Sequence, residues 1–167
     1  MRAFMKVKLI VCVALLSMVS HAAKAASEGG EAQQLILNLY HDYAWVAVVG
    51  GQWKANEISS EEKSALEKFF DPHIASLIDK DNKCKSKGEV CNLDFDPIYA
   101  SQDPAIYDLK VGRENKNKVK VTFKYPETHE VISIYYSVVK LDSGWRINDV
   151  CYSDGSCLSR ILEGSAK

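Results

Sequence analysis

The sequence predicts an α+β fold in which N-terminal helices pack against a curved antiparallel β-sheet. Up to about residue 78, apolar residues recur at steps of three and four, which is the spacing of one helical face. After Cys84 the pattern changes to an alternation of apolar and polar residues, which is typical of half-buried strands. Short polar gaps separate the last strands, so we expect an antiparallel meander with the helices over one of its faces.

Three helical segments are predicted in the first half of the chain. The first covers 35–46 and ends before a Gly-Gly pair. The second begins in the stretch ISSEEKSALEKFF, where Ser59 and Glu62 match a capping box. Pro72 interrupts the pattern, because proline disfavours a helical conformation in the residue before it. A short third helix is therefore predicted over 74–78.

The second half of the chain predicts a sheet. The stretch KVKVTFKY alternates most cleanly, with valine and aromatic residues on one face and lysines on the other. The predicted strands cover 106–111, 118–125, 130–141 and 145–152. Residues 158–162 are predicted to add one helical turn at the end.

The first 25 residues have the layout of a secretory signal peptide. A basic stretch precedes an apolar run over 9–19, and small residues follow at the positions that a signal peptidase reads. The apolar run is too short for a membrane anchor. We expect cleavage after Ala25, with Ala22 as the alternative site. The predicted organisation is a signal peptide (1–25), a flexible segment (26–34) and a single α+β domain (35–167).

The net charge of the chain narrows the classes of partner that the protein can bind. The whole chain has 21 basic and 22 acidic residues. The predicted leader contains four of the basic residues and none of the acidic ones, so the exported chain has 17 basic and 22 acidic residues and a net charge of −5. A mildly acidic protein is a poor candidate for binding nucleic acid or an anionic membrane. No segment after the leader is apolar enough to span a bilayer.

Four cysteines follow the predicted leader, and an even number in an exported chain favours disulfides. We favour the pairs Cys84–Cys91 and Cys151–Cys157, because each pair brackets a short polar loop that contains glycine. A zinc site is the more specific alternative to disulfides, although the gaps of six and five residues exceed the usual spacing of thiolate ligands. Free or redox-active thiols are the other alternative, although no C-x-x-C motif is present.

Several motifs resemble those of an exported bacterial family known as domain of unknown function 3828, which is grouped with the nuclear transport factor 2-like folds. The similar stretches are NLDFDPIYASQDP, the strands around VKVTF and ISIYYSVVK, and the ending GWRINDVCYSDGSCLSRIL. The markers within them are Asp94-x-Asp96-Pro97, Asp103 and Trp145-x-Ile147-x-Asp149. The resemblance runs from about residue 35 to 162 and implies a cone-shaped domain with a pocket between helices and sheet. It implies no activity and no disulfide pairing.

Three aspartates, Asp94, Asp96 and Asp103, form an acidic cluster that has two interpretations. Carboxylate oxygens are the ligands that calcium prefers, but the spacing is not that of a calcium-binding loop. Aspartate beside proline is common in turns, where its side chain bonds nearby backbone amides. We therefore favour turn formation over metal binding.

A second polar cluster lies on the first predicted helix, in the sequence Tyr-His-Asp-Tyr at 40–43. His41 and Asp42 are adjacent and so do not share a helical face. We therefore favour a core or pocket-wall role for this cluster over acid–base catalysis.

The last predicted strand places a carboxylate on an apolar face. By the period of two, Asp149 shares a face with Trp145 and Ile147, which we expect to point into the core. A buried carboxylate needs hydrogen-bond partners or a raised pKa. Asp149 is thus either a pocket acid or a structural acceptor, and we favour the structural role.

Motifs for nucleophilic or metal-dependent hydrolysis, such as GxSxG and HExxH, are absent from the sequence. We therefore predict a non-enzymatic periplasmic protein that acts by protein–protein contact, without cofactor or metal, as a monomer or homodimer. An immunity-type inhibitor of a delivered cell-envelope toxin is the specific form of this hypothesis. The candidate contact residues are Lys85, Lys87, Glu89, Arg146 and Asp154.

The alternative hypothesis is a pocket for a small apolar ligand. Its predicted lining is Tyr43, Trp45, Tyr135 and Tyr136, with Asp149 as the polar member. A cone-fold enzyme of isomerase or dehydratase type is the third hypothesis.

Overall fold

The structure is a computed structural model that describes residues 30–44, 46–47 and 57–164. The predicted signal peptide, both of its cleavage sites and the Gly-Gly pair lie outside these residues. The α+β prediction is confirmed, since the described part of the chain contains helices and a four-stranded antiparallel sheet. No helix within the described ranges is both long and apolar enough to cross a membrane.

The helical layer starts earlier than the sequence predicts. Helix α1 covers residues 30–44 and 46–47, so the part of the predicted flexible segment from residue 30 onward is helical. Two contacts account for this. Ala32 is buried in the core, and the side-chain amide of Gln33 donates a hydrogen bond to the carbonyl oxygen of Val111 (2.9 Å).

The predicted capping box does not form. Ser59 lies in a 3-10 turn, Ile58–Ser60, and helix α2 (Lys63–Leu66) begins after Glu62 without a side-chain cap. The effective cap is Asp71, whose Oδ1 accepts a hydrogen bond from the amide of Ile74 (2.9 Å) at the start of helix α3 (Pro72–Lys85).

Proline in the first turn of a helix is favourable, since its missing N–H needs no partner there. Helix α3 can therefore start at Pro72, and it extends to Lys85, seven residues beyond the predicted end at residue 78. The last helix, α4, covers Leu158–Leu162, as predicted.

The sheet is a meander in the order β1-β2-β3-β4, with every neighbouring pair antiparallel. Its strands are β1 (Tyr107–Asn115), β2 (Lys118–Lys124), β3 (Val131–Leu141) and β4 (Gly144–Tyr152). The free edge of β4 is partly covered, because Ile147 exchanges backbone hydrogen bonds with Phe69 and Asp71 and because Cys157 bridges to Cys151. Covering an edge removes unpaired backbone groups that would otherwise pair with another chain.

A β-bulge in β4 overturns the predicted orientation of Asp149. Ser137 pairs with Asp149, but the next residue of β3, Val138, pairs with Ile147, so Asn148 is an extra residue. Val138 is buried against the helices, and its neighbour Ser137 therefore lies on the opposite face. The prediction that Asp149 points into the core with Ile147 is wrong, because one added residue reverses the alternation.

Trp145 lies on the helical side of the sheet, as predicted, but is only half-buried. It pairs with Lys140, whose Nζ lies 5.5 Å from the centre of the indole ring. The same Nζ is 2.6 Å from a carboxylate oxygen of Glu31 in α1. An ion pair thus covers the indole at the margin of the core.

Buried tyrosines hold an irregular segment, 96–101, between α1 and the sheet. The hydroxyl of Tyr40 donates to the carbonyl oxygen of Ile98 (2.6 Å) and lies 2.9 Å from the hydroxyl of Tyr136 on β3. Since the single proton of Tyr40 is directed to Ile98, Tyr136 is the donor in the second bond. Burial raises the pKa of both tyrosines well above 10, so both hydroxyls stay protonated.

Three further tyrosines bond the backbone of the same region. Tyr125 bonds the carbonyl oxygen of residue 99 (2.8 Å), Tyr152 bonds that of residue 97 (3.1 Å), and Tyr99 bonds that of residue 43 in α1 (3.1 Å). The strands β2, β3 and β4 and helix α1 are thereby joined through one short segment.

We predict that Tyr40→Phe is more destabilising than Tyr136→Phe. The first change leaves the buried carbonyl of Ile98 and the hydroxyl of Tyr136 without their partner, at a cost of about 2–4 kcal/mol in the free energy of unfolding. The second leaves the Tyr40–Ile98 bond intact and should cost about 1 kcal/mol. Urea unfolding of the two variants measures the difference. Equal losses would contradict the assigned direction of the two hydrogen bonds.

Candidate functional site

Helix α3 ends in a loop that a disulfide closes. Cys84 in its last turn is bonded to Cys91, with their Cα atoms 6.0 Å apart, which is the pairing favoured from the sequence. All residues of the intervening loop, 85–90, are exposed, and Val90 is fully exposed. The loop brings together three of the predicted contact residues: Lys85, Lys87 and Glu89.

A buried carboxylate fixes the base of this loop. Asp81 Oδ1 accepts hydrogen bonds from the backbone amides of Asn92 (2.8 Å) and Leu93 (3.3 Å), which follow the disulfide. The Nζ of Lys85 lies 3.4 Å from Asp81 Oδ2. The side-chain amide of Asn92 in turn donates to the carbonyl oxygen of Leu162 in α4 (3.0 Å). The loop is thus held at both ends by α3 and α4.

Two clefts flank the loop. One has a volume of about 600 Å³ and is lined by Asp79, Asp81, Lys83, Asn92 and Leu162. The other has a volume of about 350 Å³ and is lined by Glu57, Ser59, Leu93, Phe95, Asp96 and Gln102. Glu89, Val90 and Cys91 line both clefts. Both volumes lie within the range of small-molecule binding pockets.

Asp96, at the smaller cleft, is only 2% exposed. Its Oδ1 accepts a hydrogen bond from the amide of Ile98 (2.9 Å), which closes a turn across Pro97. Its Oδ2 is buried and has no hydrogen-bond partner among the described residues. Burial, followed by the nearby charge of Glu57, raises the pKa of Asp96 from 3.8 to about 7.

Asp96 closes a turn, as the turn interpretation of the acidic cluster predicts. Asp94 and Asp103 are exposed, and the oxygens of the three aspartates do not converge on one point. The geometry that a calcium ion requires is therefore not formed by these residues.

Two other predicted contact residues are away from the loop and are engaged in local bonds. The guanidinium of Arg146 donates to the carbonyl oxygens of Glu67 (2.8 Å) and Trp145 (2.7 Å) and so ties β4 to the segment after α2. The carboxylate of Asp154 accepts bonds from the hydroxyl (2.7 Å) and amide (2.9 Å) of Ser156, which lower the pKa of Asp154. The structure thus separates the five predicted contact residues into a loop group and two residues with local roles.

Asp149 is a structural acceptor. Its oxygens accept hydrogen bonds from the hydroxyl (2.8 Å) and amide (3.1 Å) of Ser159 in the first turn of α4 and from the amide of Val150 (2.9 Å). Cys151 and Cys157 lie beside it, and the three side chains could surround a metal ion if the sulfurs were free. They form the second disulfide, so no thiolate is available to hold zinc there.

The described members of the predicted ligand pocket do not share one cavity. Tyr43 and Tyr136 are buried in the core, and the hydroxyl of Tyr136 is bonded to Tyr40. Tyr135 lies on the sheet face away from the helices, as its pairing with Cys151 shows. Trp45 lies outside the described residues.

Comparison with known proteins adds little to this geometry. No protein-family model matches the chain, and no curated protein matches it. Among solved structures, the chain is similar to a phospholipid-binding protein from Ralstonia solanacearum in complex with a phospholipid. The sequence identity is 16%, the alignment covers 92% of this chain and 81% of that chain, and the TM-score is 0.32. Similarity at this level carries no argument about ligand or activity.

Sequence reasoning missed two residues that shape the site. Asp81 lies in the polar stretch DKDNKCK, where nothing distinguishes a buried carboxylate from its exposed neighbours. Val90 is an isolated valine among polar residues, and such a valine is more often a core residue than an exposed one. The disulfide pairing was the available signal, since it forces the residues between Cys84 and Cys91 into a loop.

We predict that Asp96→Asn stabilises the protein at pH 8 and has little effect at pH 4. Because folding raises the pKa of Asp96, the folded state binds the extra proton between about pH 4 and 7, and stability falls as the pH rises through about 7. The shift of about three units corresponds to at most about 4 kcal/mol. Asparagine keeps the acceptor for the turn and carries no charge.

The measurement is the difference in free energy of unfolding between variant and wild type at the two pH values. Asp94→Asn, in an exposed neighbour, is the matched control and should show no such difference. Equal destabilisation of Asp96→Asn at pH 4 and pH 8 would contradict the raised pKa.

Proposed function

We propose that this is an exported, non-enzymatic protein that binds a partner protein through the loop 85–90 and the clefts beside it. The observation that carries the proposal is the full exposure of Val90 within a loop that is fixed at both ends. A loop that is ordered before binding loses less conformational entropy in a complex. An apolar side chain held out from such a loop gains free energy when a partner removes it from water.

The surroundings of Val90 match the usual arrangement of a protein interface. Lysines and a glutamate, Lys85, Lys87 and Glu89, surround the apolar residue with charges of both signs. Interfaces commonly have an apolar centre and a polar rim. The two clefts offer additional concave surface for side chains of the partner.

The two disulfides indicate an oxidising, extracytoplasmic compartment. We place the protein in the periplasm on the strength of the predicted signal peptide, and we keep membership of the domain of unknown function 3828 family as part of the proposal. A protein that acts there by contact could protect the cell envelope. We therefore propose, as the specific form, an immunity-type inhibitor whose loop enters the cleft of a delivered toxin.

The alternative of a small apolar ligand has less support. The interior between α1 and the sheet is occupied by the segment 96–101 and its tyrosines, and the predicted lining residues are divided between two faces of the sheet. An enzyme of isomerase or dehydratase type is supported less still. The hydroxyl of Ser59 donates a hydrogen bond to Glu57 (3.3 Å) in the smaller cleft, but no histidine is among the described lining residues of either cleft.

The proposal predicts that a photo-crosslinking amino acid at position 90 captures one defined partner in intact cells. The same amino acid at Ser64, an exposed position of α2, is the control and should capture nothing specific. Replacing both Cys84 and Cys91 by serine should reduce the crosslink at position 90 several-fold, because the loop is then no longer closed. Equal crosslinking from positions 90 and 64 would contradict the proposal.

The immunity-type form has a separate test. Cells that lack the protein should be killed by a toxin delivered to the envelope, and wild-type protein should restore survival. Val90→Asp should fold normally, since the side chain is fully exposed, and should fail to protect. Survival of cells that lack the protein would reject the immunity role and leave the contact surface itself to the crosslinking test.

A further inference from the structure

The charge of this chain is unevenly distributed. The hairpin of β1 and β2, residues 107–124, contains six basic and two acidic residues, a net charge of +4. The rest of the predicted exported chain contains 11 basic and 20 acidic residues, a net charge of −9. A mildly acidic average thus conceals one strongly basic element.

Strand register places the lysines of the hairpin on one face. Lys118, Lys120 and Lys124 alternate in β2 with buried apolar residues that point toward the helices. Lys110 of β1 pairs with Thr122 and therefore projects from the same outer face. Residues two apart in a strand are separated by about 7 Å, so the lysines of β2 form a row about 20 Å long. We call the surface formed by Lys110, Lys118, Lys120 and Lys124 the basic face.

Part of the positive charge of the basic face has no acidic partner among the described residues. Lys110 and Lys124 share the carboxylate of Asp108, at 3.0 and 3.5 Å. Lys118 and Lys120 form no ion pair with any described residue. Lys120 instead lies over the ring of Tyr135, with its Nζ 5.3 Å from the ring centre.

Exposed apolar side chains collect at one end of the basic face. Tyr107, Lys124 and Val131 form a row across three strands, since Lys124 pairs with each of the other two. Tyr107 is 40% exposed and Val131 is 58% exposed. The ammonium of Lys124 lies 5.8 Å from the centre of the Tyr107 ring.

We propose that the basic face docks on the surface of an anionic lipid bilayer. Separated ammonium groups on long apolar stems, next to a tyrosine and a valine, match the anionic headgroups and the apolar layer just beneath them. Only charges within about a Debye length, roughly 8 Å in physiological salt, act on the bilayer, so the acidic remainder of the chain does not prevent docking. The helices cover the other face of the sheet, so the loop 85–90, which follows α3, is not part of the basic face.

The test is sedimentation of the purified protein with vesicles. We expect binding to phosphatidylglycerol-containing vesicles, weak or no binding to pure phosphatidylcholine vesicles, and loss of binding as salt rises from 0.1 to about 1 M, where the Debye length falls to roughly 3 Å. The double variant Lys118→Gln with Lys120→Gln should bind anionic vesicles about 25-fold more weakly, at about fivefold for each charge removed.

The double variant Lys63→Gln with Lys68→Gln, from exposed positions of the helical layer, removes the same charge and should bind like the wild type. Equal binding to both kinds of vesicle, equal loss in the two double variants, or no binding to anionic vesicles would each overturn the proposal. Binding to an acidic peptide or to nucleic acid without binding to vesicles would also overturn it, and would assign the basic face to an anionic macromolecule. The salt dependence of the wild type decides the matter if the Lys118/Lys120 variant does not fold.

Discussion

The hydrogen bond from the hydroxyl of Tyr40 to the carbonyl oxygen of Ile98 organises the interior of this protein. It fixes an irregular segment, 96–101, in the space between α1 and the sheet, where unpaired backbone groups would be costly. From the sheet, the hydroxyl of Tyr136 donates a second hydrogen bond to the hydroxyl of Tyr40. Because this segment contains Asp96, the same bond also helps to place the buried carboxylate of Asp96 at the smaller cleft.

Filling the interior has a functional consequence. A domain whose centre is occupied by its own tyrosines has its binding surfaces at the periphery. The described structure has two such surfaces, the disulfide-closed loop 85–90 on the helical side and the basic face on the other. Each surface has a fixed backbone and side chains that lack a partner among the described residues. These are an exposed valine in the loop and lysines without an ion pair in the basic face.

The sequence predicted the elements better than their details. Strand positions and both disulfides followed from alternation and from cysteine spacing, because these signals are local. The capping role of Asp71 was missed, because Ser59 and Glu62 offered an equally good pattern and only packing decides between them. The basic face could not be predicted from the net charge, because net charge does not say on which face of a strand the lysines lie. Asp81 required knowledge of which distant amides, those of residues 92 and 93, would meet it.

The β-bulge at Asn148 determines which side chains the second half of β4 presents on each face of the sheet. If Asn148 took a regular place in the pairing with β3, Asp149 and Cys151 would turn toward the helices. Cys151 would then face away from Cys157, and α4 would lose the carboxylate that anchors its first turn. One unpaired residue thus places a crosslink and the anchor of a helix together on the outer face of the sheet.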